Sequence, residues 1–138
     1  MRADSPFTNN DDLDQKNVKI AAFYRSAYDL WLRDNLRHAS LLAADSIEQS
    51  HDLFLRGQAD VLASLKPRLQ MELAAGQHRM ITPRFTAIKQ AVCIKKTDPA
   101  VLQFLNDLIA ASIKDGFIEA SLAAHGVDDK LSLPEPAG

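Results

Sequence analysis

An α/β fold, with one small parallel or mixed sheet flanked by helices, is predicted by two observations. Short apolar runs at residues 18–23, 38–44 and 59–63 alternate with longer stretches whose apolar residues recur at helical spacing. Each junction carries a turn or capping signal, giving strand, helix, strand, helix, strand, helix in order, the pattern of a parallel sheet. Two further helical segments complete the chain.

Asn9-Asn10-Asp11-Asp12-Leu13-Asp14 is turn-rich, because its short polar side chains bond readily to nearby backbone. Val18 to Phe23 reads as the first strand. Ser26 then caps a helix from Ala27 to about Leu36, with Leu30 and Trp31 among its apolar groups. His38 to Ala44 is the second short apolar run. Asp45 or Ser46 starts the next helix, whose first turn carries Glu48 and whose apolar face includes Ile47, Leu53 and Phe54. Arg56-Gly57-Gln58 stops it, a basic last turn followed by glycine. Ala59 to Ala63 is the third strand. Lys66 to Ala75 is helical, with Pro67 tolerated in the first turn and Gly76 closing the segment.

Phe85 to Lys95 is a longer apolar stretch. Asp98-Pro99 opens a strong helix, Asp as cap and Pro at the first helical position, carrying Val101, Leu102, Leu105, Leu108, Ile109 and Ile113 on one broad face. Lys114-Asp115-Gly116 breaks it. A last helix runs through Phe117, Ile118, Leu122 and Ala123 to His125-Gly126, and Leu133 to Gly138 is expected to be extended and mobile.

At 138 residues the chain suits a single core, and its 46% hydrophobic and 25% charged content is that of a globular domain. A net charge of −2 argues against a nucleic-acid partner or an anionic membrane surface. Met1 to Pro6 lacks the apolar core of a signal peptide, and no apolar stretch approaches the roughly 18–20 residues that span a bilayer. The single Cys93 lies between Val92 and Ile94, so a buried structural thiol is expected. His38, His51, His78 and His125 lack the spacing of a zinc site. Neither a phosphate-binding glycine loop nor a nucleophile elbow is present, so no metal, cofactor or catalytic residue is expected.

The ordered segments resemble the C-terminal part of the bacterial extracellular solute-binding proteins of family 3, the periplasmic binding proteins of amino-acid ABC transporters. Arg2 to Phe7 with Asp11 to Asp14 is similar to the family's first inter-lobe crossing, and Val18 to Leu32 to the strand, ligand-facing turn and helix that open lobe II. Phe54-Leu55-Arg56-Gly57-Gln58-Ala59-Asp60-Val61 resembles the family's helix end, glycine turn and strand. Phe85 to Lys96 looks like the return crossing, and Phe104-Leu105-Asn106, Asp115 to Ile118 and His125-Gly126-Val127 resemble the helices that re-enter lobe I.

The resemblance implies a type II periplasmic-binding-protein-like fold. Residues 1–16 would form the crossing and its lead-in loop, 17–84 lobe II, 85–128 the return crossing strand and C-terminal helices, and 129–138 a mobile tail. It also implies a periplasmic, non-enzymatic role: binding a small-molecule solute in an inter-lobe cleft and delivering it to an ABC permease when lobe I is present. The chain is expected to be a truncated form, since no residue matches the lobe I Arg that pairs with the ligand carboxylate. The alternative is an orphan lobe that binds no ligand and self-assembles, as a homodimer with exchanged C-terminal elements, to cover its apolar helix faces.

Tyr24, Arg25, Ser26 and Ala27 are the first candidates for ligand contact, because a helix start presents unpaired N–H groups to an anion. The family usually has Gly at the Arg25 position and a second hydroxyl at Ala27. Asp60 is a candidate at the cleft edge. Leu65 stands where the family has the carboxylate that pairs with a ligand amine, which an apolar side chain cannot replace. Arg84 and Lys89 are expected to be solvated, and Tyr24, Tyr28 and Trp31 could supply an aromatic wall.

Overall fold

A computed structural model describes residues 1–73, 76–96, 98–129 and 131–133. They fall into two compact units, residues 1–88 and 89–138. In the first, β1 (Lys19–Phe23), β2 (Ser40–Ala44) and β3 (Val61–Leu62) form a parallel sheet in the order β2-β1-β3. The helices between and after them are α1 (Ala27–Asn35), α2 (Ile47–Leu55) and α3 (Lys66–Leu73). The α/β class read from the sequence is therefore the observed one. The third strand is shorter than expected, two residues instead of five.

Both faces of β1 are buried, which is why its sequence is a continuous apolar run rather than an alternation. Ile20 and Ala22 face α1, packing with Val18, Tyr28, Leu32, Val61 and Ala63. Ala21 and Leu62 face the other way, against Phe54 of α2 and Ala59, with Leu69 of α3 alongside. The period of two along the strand thus splits one run between two cores.

The caps are those anticipated. The Ser26 hydroxyl accepts from Asp29 N, Ser46 from Gln49 N, and Asp98 from Ala100 N with Pro99 opening the helix. Such a cap stabilises a helix by about 1 kcal/mol. Gly57 ends the α2 turn at φ +71°, where a side chain would be strained. α3 is tied to α2 by His51 Nδ1 and Glu72 Oε1 at 2.8 Å and by Arg68 and Glu48 at 3.4 Å.

Two carboxylates organise residues 1–16, and one of them, Asp14, ties the segment to the approach of β2. Asp12 accepts from the Thr8 and Asn9 amides and the Thr8 hydroxyl. Asp14 accepts from the amides of Arg37, His38 and Ala39, joining the 3-10 turn Asp11–Leu13 to the approach of β2. Backbone N–H donors, chiefly Thr8 for Asp12 and Ala39 for Asp14, hold both carboxyls below their usual value of 3.8. A depressed carboxyl contributes stability that is complete above the unfolded value and lost as pH falls through the folded one. The urea midpoint is therefore expected to hold down to about pH 5 and to fall below about pH 4. Asp14→Asn should flatten that acid limb in a pH series followed by circular dichroism. An unchanged limb would show that Asp14 carries none of it.

The second unit contains α4 (Pro99–Lys114) and α5 (Phe117–Ala124), joined at Gly116, which adopts φ +80°. Neither helix has a fully buried residue. Residues 85–96, expected to supply the return crossing strand, form no strand: no backbone ladder bond is made there among the described residues. Cys93 is exposed, which corrects the expectation of a buried thiol. Apolar neighbours in sequence bury a side chain only where a second layer covers the segment, and Val92, Cys93 and Ile94 are all exposed. Of the tail, Lys130 and residues 134–138 lie outside the described residues, as do Ala74 and Ala75 at the end expected for α3.

Candidate functional site

The strand order reverses direction at β1. The chain passes from β1 through α1 to β2 on one side, then through α2 across to β3 on the other. α1 packs on one face of the sheet and α2 and α3 on the other, so the loops leaving β1 and β3 diverge beyond the strands' carboxyl ends. In open parallel sheets this switch point is where ligands bind.

The loop leaving β1 at this end is the turn Tyr24-Arg25-Ser26-Ala27. Arg25 is the single described non-glycine residue with positive φ, at +59°. That left-handed residue turns the chain sharply, so that α1 begins immediately beyond β1. The Ser26 hydroxyl donates to Phe23 O at 2.7 Å and accepts from Asp29 N, so its donor is already spent inside the turn. The amides of Ala27 and Tyr28, by contrast, make no hydrogen bond among the described residues. They are the orphan donors of a helix start.

Asp29 holds the turn in place. It is fully buried, and its Oδ2 accepts from Arg25 N at 2.9 Å and Arg33 Nε at 3.0 Å, while Oδ1 accepts from Arg33 Nη2 at 3.1 Å. The carboxylate and its hydrogen bond raise the Arg33 guanidinium above its ordinary value. The Tyr24 ring, 43% exposed, has both the Arg25 and Arg33 guanidinium carbons 5.3 Å from its centroid. Neither Asp29 nor Arg33 was singled out in the sequence. The available signals were the Ser26-x-x-Asp29 capping spacing and the i,i+4 pairing of Asp29 with Arg33.

The loop after β3 contributes Leu65, 41% exposed, whose carbonyl accepts from Arg68 N and Leu69 N as α3 begins. Leu65 follows the end of β3 by three residues, at the same end of the sheet as Tyr24, which follows β1. Asp60 is elsewhere. Its carboxylate accepts from Lys19 N at 2.9 Å, and its own amide donates to Lys19 O, closing the amino end of the sheet. The six candidates therefore divide: five lie at the switch-point end of the sheet and Asp60 at the opposite end. There it borders an open recess of about 210 Å³ lined with Arg2, Asp4, Ser5, Pro6 and Phe7, a segment clasped by Arg79 bonds to Ala3, Ser5 and Phe7 carbonyls.

Of the three aromatic candidates only Tyr24 is at the switch point. Tyr28 is buried in the α1 core, and Trp31 packs on Phe85 with ring centroids 5.1 Å apart. Arg84 and Lys89 are exposed. Among the described residues no group of three His, Cys, Asp or Glu is placed to hold a metal ion, and no helix is long and apolar enough to cross a membrane. No family model matches the chain, and no curated protein or solved structure matches it.

Proposed function

We propose that the chain is the lobe II portion, with the return toward lobe I, of a family 3 solute-binding protein serving an ABC importer of the polar amino-acid type. The observation that carries this reading is the turn at Arg25. The family places a glycine at that position, and the backbone there is left-handed, the conformation glycine supplies without strain. The same turn leads into a capped helix with two free amides at the carboxyl end of the central strand. In this reading the protein acts by binding, not by catalysis. A solute settles at the switch point, lobe I closes over it by a hinge motion, and the closed form is presented to a periplasm-facing permease.

One lobe offers only part of the contact area, so its affinity is expected to be weak, on the order of millimolar. An amide-resolved NMR screen of the 138-residue chain against small organic acids, amines and amino acids should give shifts confined to residues 24–29 and 65. Submicromolar binding by the monomer, or no response to any solute, would sink the reading.

Exposed apolar residues on α4 and α5, among them Leu102, Phe104, Leu108 and Phe117, favour a second reading as a self-assembling homodimer. Light scattering on the same sample would remove it by showing a strict monomer.

A further inference from the structure

Apolar residues cover about half of the α4 circumference, and they divide into two stripes. Val101, Phe104, Leu108 and Ala111 recur at spacings of three, four and three, so they line one side of the helix. Leu105, Ile109 and Ile113 line the side next to it. Gly116 turns the chain back, and α5, at eight residues, spans only about two turns of α4. Burial follows that division. Leu105, Ile109 and Ile113 are half-buried, as are Ile118 and Leu122 of α5. The first stripe is open: Phe104 is 64% exposed, Leu108 50% and Val101 43%, and Phe117 at the start of α5 is 66%. The opposite side of α4 is polar and satisfied in itself, with Gln103 donating to Asp107 at 2.8 Å.

We propose that the open stripe of α4 is an interface between two copies of this chain, packed antiparallel about a two-fold axis near Asn106. This deepens the self-assembling reading, and rests on it, by naming the face and the register. Area is the first support. A phenylalanine side chain offers roughly 200 Å², so the exposed fractions of Val101, Phe104, Leu108 and Phe117 leave on the order of 500 Å² of apolar surface per copy. Two copies would together remove about 1,000 Å² from water, the area from which a specific interface becomes stable. Shape is the second support. Centred on residue 106, the register sets Phe104 against the partner's Leu108 and Val101 against the partner's Ala111, and the two-fold repeats each contact. A larger side chain thus meets a smaller one along the whole stripe. A parallel pairing would instead put Phe104 on its own copy and Ala111 on its own, one layer crowded and one empty. Antiparallel axes also oppose the helix dipoles. Charge disfavours an anionic lipid surface as the occupant, since Asp98, Asp107, Asp115 and Glu119 outnumber Lys114 along these helices and their caps.

The test is sedimentation equilibrium of the 138-residue chain. A monomer–dimer equilibrium is expected, with a dissociation constant on the order of 10 μM for an interface this small. Leu108→Glu and Phe104→Lys should each weaken it at least about a hundredfold, because every dimer would bury the new charge twice. Both positions are exposed in the single chain, so the circular dichroism of each variant should be unchanged. Leu102→Glu, half exposed but in line with Ile109 rather than with the stripe, should leave the dimer within about twofold. Mixing the Leu108→Glu chain with the Phe104→Lys chain reads the register. Antiparallel packing brings the two new charges together, and the mixed dimer should form.

Dimers that persist in both single variants would overturn the stripe and leave self-assembly through another face standing. Loss of the dimer without rescue on mixing would overturn the antiparallel register. A strict monomer up to about 1 mM would overturn both the interface and the self-assembling reading, and flotation with phosphatidylglycerol vesicles would then show whether lipid takes the stripe.

Discussion

Replacing Phe54 with alanine is expected to destabilise the first unit by about 4 kcal/mol, the loss typical of removing a core aromatic that its surroundings cannot refill. Phe54 is 5% exposed and is the largest buried side chain of the core on the α2 face, where it meets Ala21, Ala59 and Leu62 with Leu42, Leu53 and Leu69 alongside. Its ring also contacts that of His78, with centroids 4.9 Å apart, so the segment after α3 leans on it too. Three of its neighbours cannot swing into the void, since two are alanines and the third is held in β3. A unit of this size has a stability of roughly 5–10 kcal/mol, so the change removes a large share. The thermal midpoint should fall by on the order of 20 °C, read by the fluorescence of Trp31. Leu55→Ala, on the exposed side of the same helix, should cost under about 0.5 kcal/mol. Equal effects from the two variants would show that α2 is not anchored through this face.

Removing the Asp29 carboxylate is the second large effect expected. Asp29→Ala leaves the Arg25 amide without its acceptor and Arg33 without its partner, while the Ser26 cap on residue 29 remains available. Loss of hydrogen bonds to a buried charged acceptor costs about 2 kcal/mol. Arg33→Ala should cost less, because truncating the half-exposed Arg33 side chain opens the Asp29 carboxylate to water and leaves its bond from the Arg25 amide in place. The double variant is expected to resemble Asp29→Ala alone, since the Arg25 amide is the contact that water cannot easily supply. Urea unfolding of the three variants gives the cycle. If Asp29→Ala and Arg33→Ala cost the same, the carboxylate serves only the surface pair and the turn at Arg25 stands without it.

The two effects differ in what they report on the switch point. Phe54 supports the sheet from below, so its loss should unfold that end of the sheet with everything else. Asp29 supports one turn. Its loss should broaden or shift the amides of residues 24–29 at urea concentrations where β1 and β3 remain protected.

Much of the fold was legible because local rules and tertiary demands agree. Ser26, Ser46 and Asp98 cap the helices they were expected to cap, and Gly57 and Gly116 sit where positive φ is needed. Residues 18–23 read as a strand because an apolar run in a parallel sheet has both faces covered. The same signal misled at residues 85–96. A strand is completed by hydrogen bonds to a neighbour, and Val92, Cys93 and Ile94 make no backbone ladder bond among the described residues. Tyr28 and Trp31 could not be told from Tyr24 by residue type. Tyr24 meets solvent from the loop before α1, while Tyr28 and Trp31, on the helix, pack inward.

For the switch point, the sequence by itself determined the ingredients: an arginine in a turn before a capped helix, and a leucine five residues after Asp60. Capping and turn chemistry act within a few residues, so they are written locally. Only the tertiary structure decided which ingredients share an end of the sheet. The parallel β2-β1-β3 order puts the loop carrying Leu65 at the same end of the sheet as Tyr24 and Asp60 at the other end, and buried Asp29 commits its carboxylate to Arg33 and the Arg25 amide. Those facts depend on strand order and on long-range packing. Neither follows from the spacing of residues along a chain.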